Sequence, residues 1–301
     1  MTAIRTICLL GLGEVGTTLA SDLAGRADIV LHSWDLLFGD AQSRPSQALR
    51  DLPHVRAADS ATAAVQDCDL VISAVTAAQD LPAAESVQSG LRPGAWFLDL
   101  NSVSPTTKCA VADLVTHAGG RYVEAAVMSP IAPQRIASPV LIGGPHAENF
   151  LAEGLALGFS GMRFCSADLG TAAATKMCRS VIVKGIEALV SEALLTARHY
   201  GVETAVVESL ADLFPRPDWA EHARYLVART LLHGTRRAEE MEEVAHTVSD
   251  AGVTPYMSEA TVARQAWAPQ FAAALANEEL TAMLDAMRAL APEALPERNK
   301  G

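Results

Sequence analysis

Short apolar runs alternate with helix-like stretches over the first 165 residues, and after Gly170 no convincing strand follows. That switch constrains the chain more than anything else in it. Candidate strands are Thr6–Leu10, Asp28–Asp35, Val55–Ala57, Leu70–Ala74, Trp96–Leu100, Tyr122–Val127, Val140–Gly143 and Arg163–Ser166. Helical segments such as Glu14–Leu23, Asp80–Ser89 and Ser104–His117 separate the first six. Alternation of this kind builds βαβ units and a mainly parallel sheet covered on both faces. From Gly170 to Tyr200 there is no proline and one internal glycine, Gly185, enough for a single long helix. Further helices are expected over Glu203–Leu213, Trp219–Ser249, Tyr256–Ala268 and Asn277–Leu290, with Pro215, Pro217, Pro255, Pro269 and Pro292 marking the breaks. The expected architecture is an α/β domain over residues 1–168 followed by an all-helical domain over 169–301.

Charge narrows the possible partners. A net charge of −12 with pI near 5.1 gives no basic field to hold phosphate backbones, so nucleic acid is not an expected partner. No apolar run is long enough to cross a membrane, and Glu14 and Asp22 interrupt the one N-terminal stretch that a secretory leader would need. Five scattered cysteines, odd in number and never in a CxxC pair, read as reduced thiols of a cytoplasmic protein. Eight histidines without HExxH spacing give no reason to expect a metal site.

Gly11-Leu12-Gly13-Glu14-Val15-Gly16 is a GxGxxG turn that directly follows the first strand and opens a helix, with Asp35 ending the second strand. Such glycines let the backbone approach a pyrophosphate while the helix N-terminus offers free N–H groups, and the acidic residue takes the ribose hydroxyls. Without a ligand the same residues would make an ordinary strand–turn–helix junction. Asp35 repels a 2′-phosphate and Leu36, Leu37 and Phe38 supply no cation, which favours NAD over NADP; Arg26 or Arg44 folding back would oppose this. Ala74-Val75-Thr76 leaves the fourth strand, and Asn101-Ser102 leaves the fifth before the start signal Ser104-Pro105, placing both where cofactors bind in such sheets.

At this point the chain resembles the superfamily containing 6-phosphogluconate dehydrogenase and 3-hydroxyisobutyrate dehydrogenase, the β-hydroxyacid dehydrogenases. Gly11–Gly16 is similar to its dinucleotide motif and Asp99–Pro105 to its D-x-S-[ST]-x-x-P substrate motif, with Asn101 in the first serine place. The resemblance spans essentially the whole chain and implies a Rossmann-type N-terminal domain, a long interdomain helix and an all-α C-terminal domain for substrate and dimerisation. It also implies that Lys176 is the essential lysine. Ser180 stands where the family has asparagine, and Ser129-Pro130 replaces a glycine turn whose N–H groups hold the substrate carboxylate; proline has no such donor. The stretch His233–Val244 is similar to a subgroup whose C-terminal domain has no assigned function.

Only four lysines compete for an acid/base role: Lys108, Lys176, Lys184 and Lys300. Lys300 lies in the tail and Lys108 is expected in solvent on the helix after Pro105. Lys176 and Lys184 share the long helix, and Lys176, Arg179, Ser180 and Val183 fall on one face of it. A cationic Arg179 one turn on would attract an anionic substrate and favour the neutral amine. Lys176, with Asn101, Ser102 and Ser180, is therefore the expected catalytic set, Lys184 the runner-up, and a solvent-facing helix charge the bland alternative. Ser102, Arg179, Arg135, His233, Arg236 and Arg237 are candidates for a substrate anion, although Arg236 and Arg237 among glutamates also read as a solvated, ion-paired face. The expected protein is an NAD-dependent dehydrogenase of a small anionic hydroxy or keto compound, assembled as a homodimer. Imine reduction on the same fold and a non-catalytic dinucleotide-binding module are the alternatives.

Overall fold

Residues 4–210 and 218–290 are described by a computed structural model, in which the chain divides into two compact units, Met1–Cys178 and Arg179–Gly301. The first is built on an eight-stranded sheet of order β3-β2-β1-β4-β5-β6-β7-β8. The strands are β1 (Thr6–Leu10), β2 (Val30–Trp34), β3 (Val55–Ala57), β4 (Leu70–Ser73), β5 (Trp96–Asp99), β6 (Arg121–Val127), β7 (Val140–Gly143) and β8 (Met162–Ser166). All neighbours are parallel except β6 and β7. Each strand lies where the apolar runs place one. The second is shorter than Asp28–Asp35, because Asp35 leaves the ladder to cap a 3₁₀ turn at Leu36–Gly39 through the Leu37 N–H.

Helices cover both faces: α1 (Glu14–Leu23), α2 (Arg44–Arg50), α3 (Ala61–Val65), α4 (Asp80–Val87), α5 (Pro105–His117), α6 (Ile131–Gln134) and α7 (Ala147–Leu157). The central strands β1, β4 and β5 are buried on both sides for that reason. Ile7, Leu9, Ile72 and Leu98 join one core with Leu19 and Phe150, while Cys8, Leu10, Val71 and Phe97 join the other with Ala84 and Val111. The outermost strands β3 and β8 are edges, and each carries an exposed arginine, Arg56 and Arg163.

The long helix α8 runs Thr171–Tyr200, and the division between units falls inside it rather than at 168/169, because its first turns are hydrogen-bonded to the sheet unit. The second unit continues with α9 (Glu203–Ser209), α10 (Trp219–Asp250), α11 (Tyr256–Trp267), a 3₁₀ stretch Ala268–Ala276 and α12 (Leu280–Leu290). Its core gathers Leu194, Val227, Leu231, Phe271, Met283 and Leu284. No strand is found in it among the described residues, and none of their helices is long and apolar enough to cross a membrane. Lys300, Pro215, Pro217 and Pro292, and the end of the helix expected to Leu213, lie outside the described residues.

Candidate active site

Strand register gathers the motifs. Leu10 pairs with Trp34 on one side and Ser73 on the other, and Ser73 pairs with Asp99. The residues that follow, Gly11, Asp35, Ala74 and Leu100–Ser102, therefore emerge together at the carboxyl edge, where the strand order reverses between β1 and β4.

Gly11 takes φ +93°, and a Cβ there would sit 2.6 Å from the Ala74 carbonyl oxygen. A Cβ on Gly16 would sit 2.1 Å from the Gly11 carbonyl oxygen, so both glycines are required by backbone crowding. Gly13 is different: nothing lies within 4 Å of a Cβ built on it, and no side chain caps the helix it begins. Open space in front of uncapped helical N–H groups is the cradle that a pyrophosphate fills. Glu14 is exposed, Val15 half-buried. Asp35 accepts from the Leu12 N–H at 2.8 Å and the Leu37 N–H at 2.9 Å, which fixes the carboxylate beside the turn and leaves each oxygen a further lone pair for a ribose hydroxyl. The residues present thus fit a dinucleotide.

Behind the edge lies a buried polar network. The Asn101 amide donates to Ser73 Oγ at 2.9 Å and to Asp80 Oδ1 at 2.7 Å, and its oxygen accepts from the Val75 N–H at 2.7 Å. Only 3% exposed, Asn101 is spent on holding the turns and is not left to orient a substrate or cofactor, which corrects that expectation. Ala74 and Val75 are half-buried and Thr76 exposed on the turn it holds. Asp99, wholly buried, meets Lys108 Nζ at 2.8 Å and accepts from the Tyr122 hydroxyl at 2.7 Å. Lys108 is correspondingly 1% exposed, not in solvent: the start of α5 packs over the end of β5, and a buried carboxylate there needs a cation.

A second buried acid connects the sheet to α8. Glu124 on β6 accepts from the Gly170 N–H at 2.6 Å and the Ala172 N–H at 2.8 Å, capping the helix with a carboxylate where its dipole is positive. Burial pushes the Glu124 carboxyl up, and these N–H donors pull it back. With its start fixed, α8 carries Lys176 in its second turn to Ser102, whose hydroxyl accepts a short hydrogen bond from Lys176 Nζ. Lys176 and Ser102 are both half-buried. Two elements distant in sequence thus deliver an amine and a hydroxyl to one point beside the β5 turn.

Other candidates are engaged within their own units. Arg135 donates from Nε to Asp22 Oδ1 at 2.7 Å, a partner on α1. Within the helical unit, Ser180 is buried and accepts from Lys184 Nζ at 3.3 Å, while Lys184 pairs with Glu240 at 2.6 Å. Arg237, expected at a substrate oxyanion, is buried against Glu187, and Arg236 pairs with Glu240 at 3.2 Å. The interior of α8 and α10 thus consumes these charges; Arg179 is exposed and His233 half-buried. A cavity of about 280 Å³ opens at the opposite edge of the sheet, but its arginines are engaged: Arg92 with Asp69, and Arg121 over Trp96 and on the Gly94 carbonyl.

Asp80 and Glu124 escape the sequence reading, and Lys108 is placed in solvent by it. The available signal was a lone acid within the otherwise apolar stretch Tyr122–Val127, which a solvated strand face would not require.

Comparison with known proteins agrees with this fold. Residues 6–152 match the family described as NAD binding domain of 6-phosphogluconate dehydrogenase, and residues 197–268 match a domain of unknown function, DUF1932. A conserved hypothetical protein from Sinorhizobium meliloti 1021 is 32% identical, with 96% of this chain and 98% of that one covered at a TM-score of 0.71. The 3-hydroxyisobutyrate dehydrogenase of Mycobacterium tuberculosis, solved with L-serine, is 19% identical over 95% of this chain and 99% of its own, with a TM-score of 0.70, a likeness of fold. Among curated proteins, the cytokine-like nuclear factor N-PAC of Xenopus tropicalis is 28% identical over 127 residues, which are 41% of this chain and 22% of that protein.

Proposed function

The chain belongs to the superfamily of 6-phosphogluconate and 3-hydroxyisobutyrate dehydrogenases, in the group with a helical domain of unknown function, and from that premise we propose that it is an NAD(P)-dependent oxidoreductase acting on a small hydroxy or keto compound. The observation that carries this reading is the hydrogen bond from Lys176 to Ser102 beside the dinucleotide cradle. Bound nicotinamide would supply the hydride acceptor or donor. The chain's own part is to bind and to move a proton. The N–H groups at the start of α1 take the pyrophosphate, Asp35 the ribose, and Val75 and Thr76 line the turn between β4 and α4. Lys176 gives a proton to the reacting oxygen in reduction and takes it in oxidation, and Ser102 holds the amine and the oxygen in line. An amine retained at this position favours alcohol–ketone chemistry over imine reduction. It also favours an enzyme over a binding module, which has no use for it. The test is nicotinamide turnover with a panel of small keto acids, neutral ketones and imines. Absence of turnover with all three would overturn the oxidoreductase reading, and a best rate with imines would replace it by imine reduction.

An anionic substrate is the finer reading, supported by Arg179 on the face that follows Lys176 and by Pro130 standing where a backbone donor is needed. For the cofactor, NAD is favoured: Asp35 accepts ribose hydroxyls, Leu36 and Leu37 are exposed beside it, and Arg26 is engaged by Asp28 and the Ala156 carbonyl. Fluorescence titration should give tighter binding of NADH than NADPH by about tenfold, the effect of roughly 1.4 kcal/mol from one repelled charge. Equal affinities would remove Asp35 as the discriminator.

The assembly we propose is a homodimer formed through α8, in the cytoplasm where five free thiols stay reduced. Ile182, Ile186 and Leu189 recur at helical spacing and are 65%, 39% and 57% exposed, an apolar stripe that a second copy would cover. Light scattering should report twice the 31.7 kDa chain mass at micromolar concentration. A monomer would refute it.

A further inference from the structure

We propose that Asp80 is a positioning residue for this site: through the Asn101 amide it holds the turn after β4 and the turn after β5 in the arrangement that presents Val75, Thr76 and Ser102 together. The role in cofactor binding rests on the dinucleotide reading above; the clasp itself does not.

Asp80 begins α4 and is wholly buried, an unusual place for a carboxyl group. Its Oδ1 accepts one amide proton of Asn101, whose other amide proton goes to Ser73 on β4. The amide oxygen takes the Val75 N–H, and the Asn101 main-chain N–H goes to Asp99 at 2.9 Å. One side chain therefore ties β4, the β4 turn and the start of α4 to the end of β5. The orientation of that amide decides whether the clasp closes, since a flipped amide would set N–H against the Val75 N–H. Asp80 is the acceptor that selects the closed orientation. Remove it and a buried amide proton is left unpaired, which relaxes both turns.

The charges around Asp80 show how a buried carboxyl can do this. Asp99 faces it from β5 and Lys108 from α5, Asn101 from the β5 turn, and Tyr122 on β6 is bonded to Asp99. One ammonium neutralises one carboxylate, not two. The other oxygen of Asp80, Oδ2, is buried with no hydrogen-bond partner among the described residues, and the Asp80 carboxyl interacts with that of Asp99. A proton on Asp80 resolves the conflict: the carboxyl donates to Asp99 and still accepts from Asn101. Burial first, and the Asp99 charge second, push Asp80 up to about 8 from an ordinary 3.8. A group raised in the folded state stabilises it fully below its unfolded value, so this contribution is whole near pH 4 and lost as pH rises through about 8.

The decisive variants are Asp80→Asn, which copies the protonated carboxyl in shape and hydrogen bonding, and Asp80→Ala, which removes the acceptor. Two readouts are taken at pH 6 and pH 9: hydrogen exchange of residues 73–78 in the protein without nucleotide, corrected for intrinsic rate, and NADH affinity by fluorescence. The wild type should protect 73–78 at pH 6 and lose protection at pH 9, with NADH bound roughly tenfold more weakly, a usual size for coupling within one hydrogen-bond network. Asp80→Asn should match the wild type at pH 6 and keep both properties at pH 9. Asp80→Ala should be unprotected and weakly binding at both. If Asp80→Asn weakens with pH as the wild type does, or if Asp80→Ala lowers only the melting temperature, the proposal is overturned. If the wild type binds neither NADH nor NADPH, the dinucleotide reading falls instead, and exchange at 73–78 still decides whether Asp80 holds the turns.

Discussion

Lys176→Ala should lower turnover by roughly 10²–10⁴, the usual range for a lost general acid or base, with dinucleotide affinity changed by less than about threefold. The reasoning is geometric. Lys176 Nζ is seated on the Ser102 hydroxyl by α8, whose start is fixed by Glu124, so the amine is ordered before any substrate arrives. Arginine should not rescue it, because a guanidinium keeps its proton at any working pH. Lys184 provides the contrast on the same helix. Burial pulls its amine down and Glu240 partly restores it, so Lys184→Met should take from Glu240 its buried ammonium, leaving the longer Arg236 pair, and cost stability, while the folded fraction keeps its turnover number. If the two phenotypes are exchanged, the amine that does the chemistry is Lys184.

The largest effect on stability is expected at Lys108. Lys108→Met leaves Asp99 wholly buried without its cation, a loss of about 3–5 kcal/mol for a broken buried pair. The melting temperature should fall by roughly 6–20 °C, taking 2–4 °C per kcal/mol for a chain of this size. Adding Asp99→Asn should recover part of the loss, because the uncompensated charge is gone; the recovery is partial because the Tyr122 hydroxyl and the Asn101 N–H bond different carboxylate oxygens and the amide keeps only one acceptor. Thermal denaturation of the single and double variants decides the matter. A single variant within about 1 kcal/mol of wild type would refute the role of Lys108 as the counter-charge that Asp99 needs.

The fold was legible because its signals are local. A strand buried on both faces is a continuous apolar run, as in Leu70–Ser73, and the glycine turn sits between a run of that kind and a helix. Lys176 was reachable from its motif. The charges that build the interior were not, because a residue string records type and spacing but not what packs above. Lys108 falls on α5 with the spacing of a surface charge, and only the approach of α5 to β5 puts it on Asp99, nine residues earlier. Arg237 sits in a glutamate-rich run that reads as solvated, yet its partner, Glu187, is on a different helix. Asn101 misled in the opposite sense: a small polar residue at a strand end is equally suited to touching a ligand and to tying two turns together, and here it does the second.

The two outer strands bear on colloidal behaviour. An open sheet offers unpaired N–H and C=O groups at either side, a template on which chains can polymerise. Here β3 is three residues long and carries Arg56, and β8 carries Arg163, both exposed. A short rim with a fixed cation is a poor seed for strand addition, since stacking like rims would bring guanidinium against guanidinium. The sheet is thereby guarded against growing into fibrils at high concentration, and self-association is steered away from β-pairing toward helical surfaces.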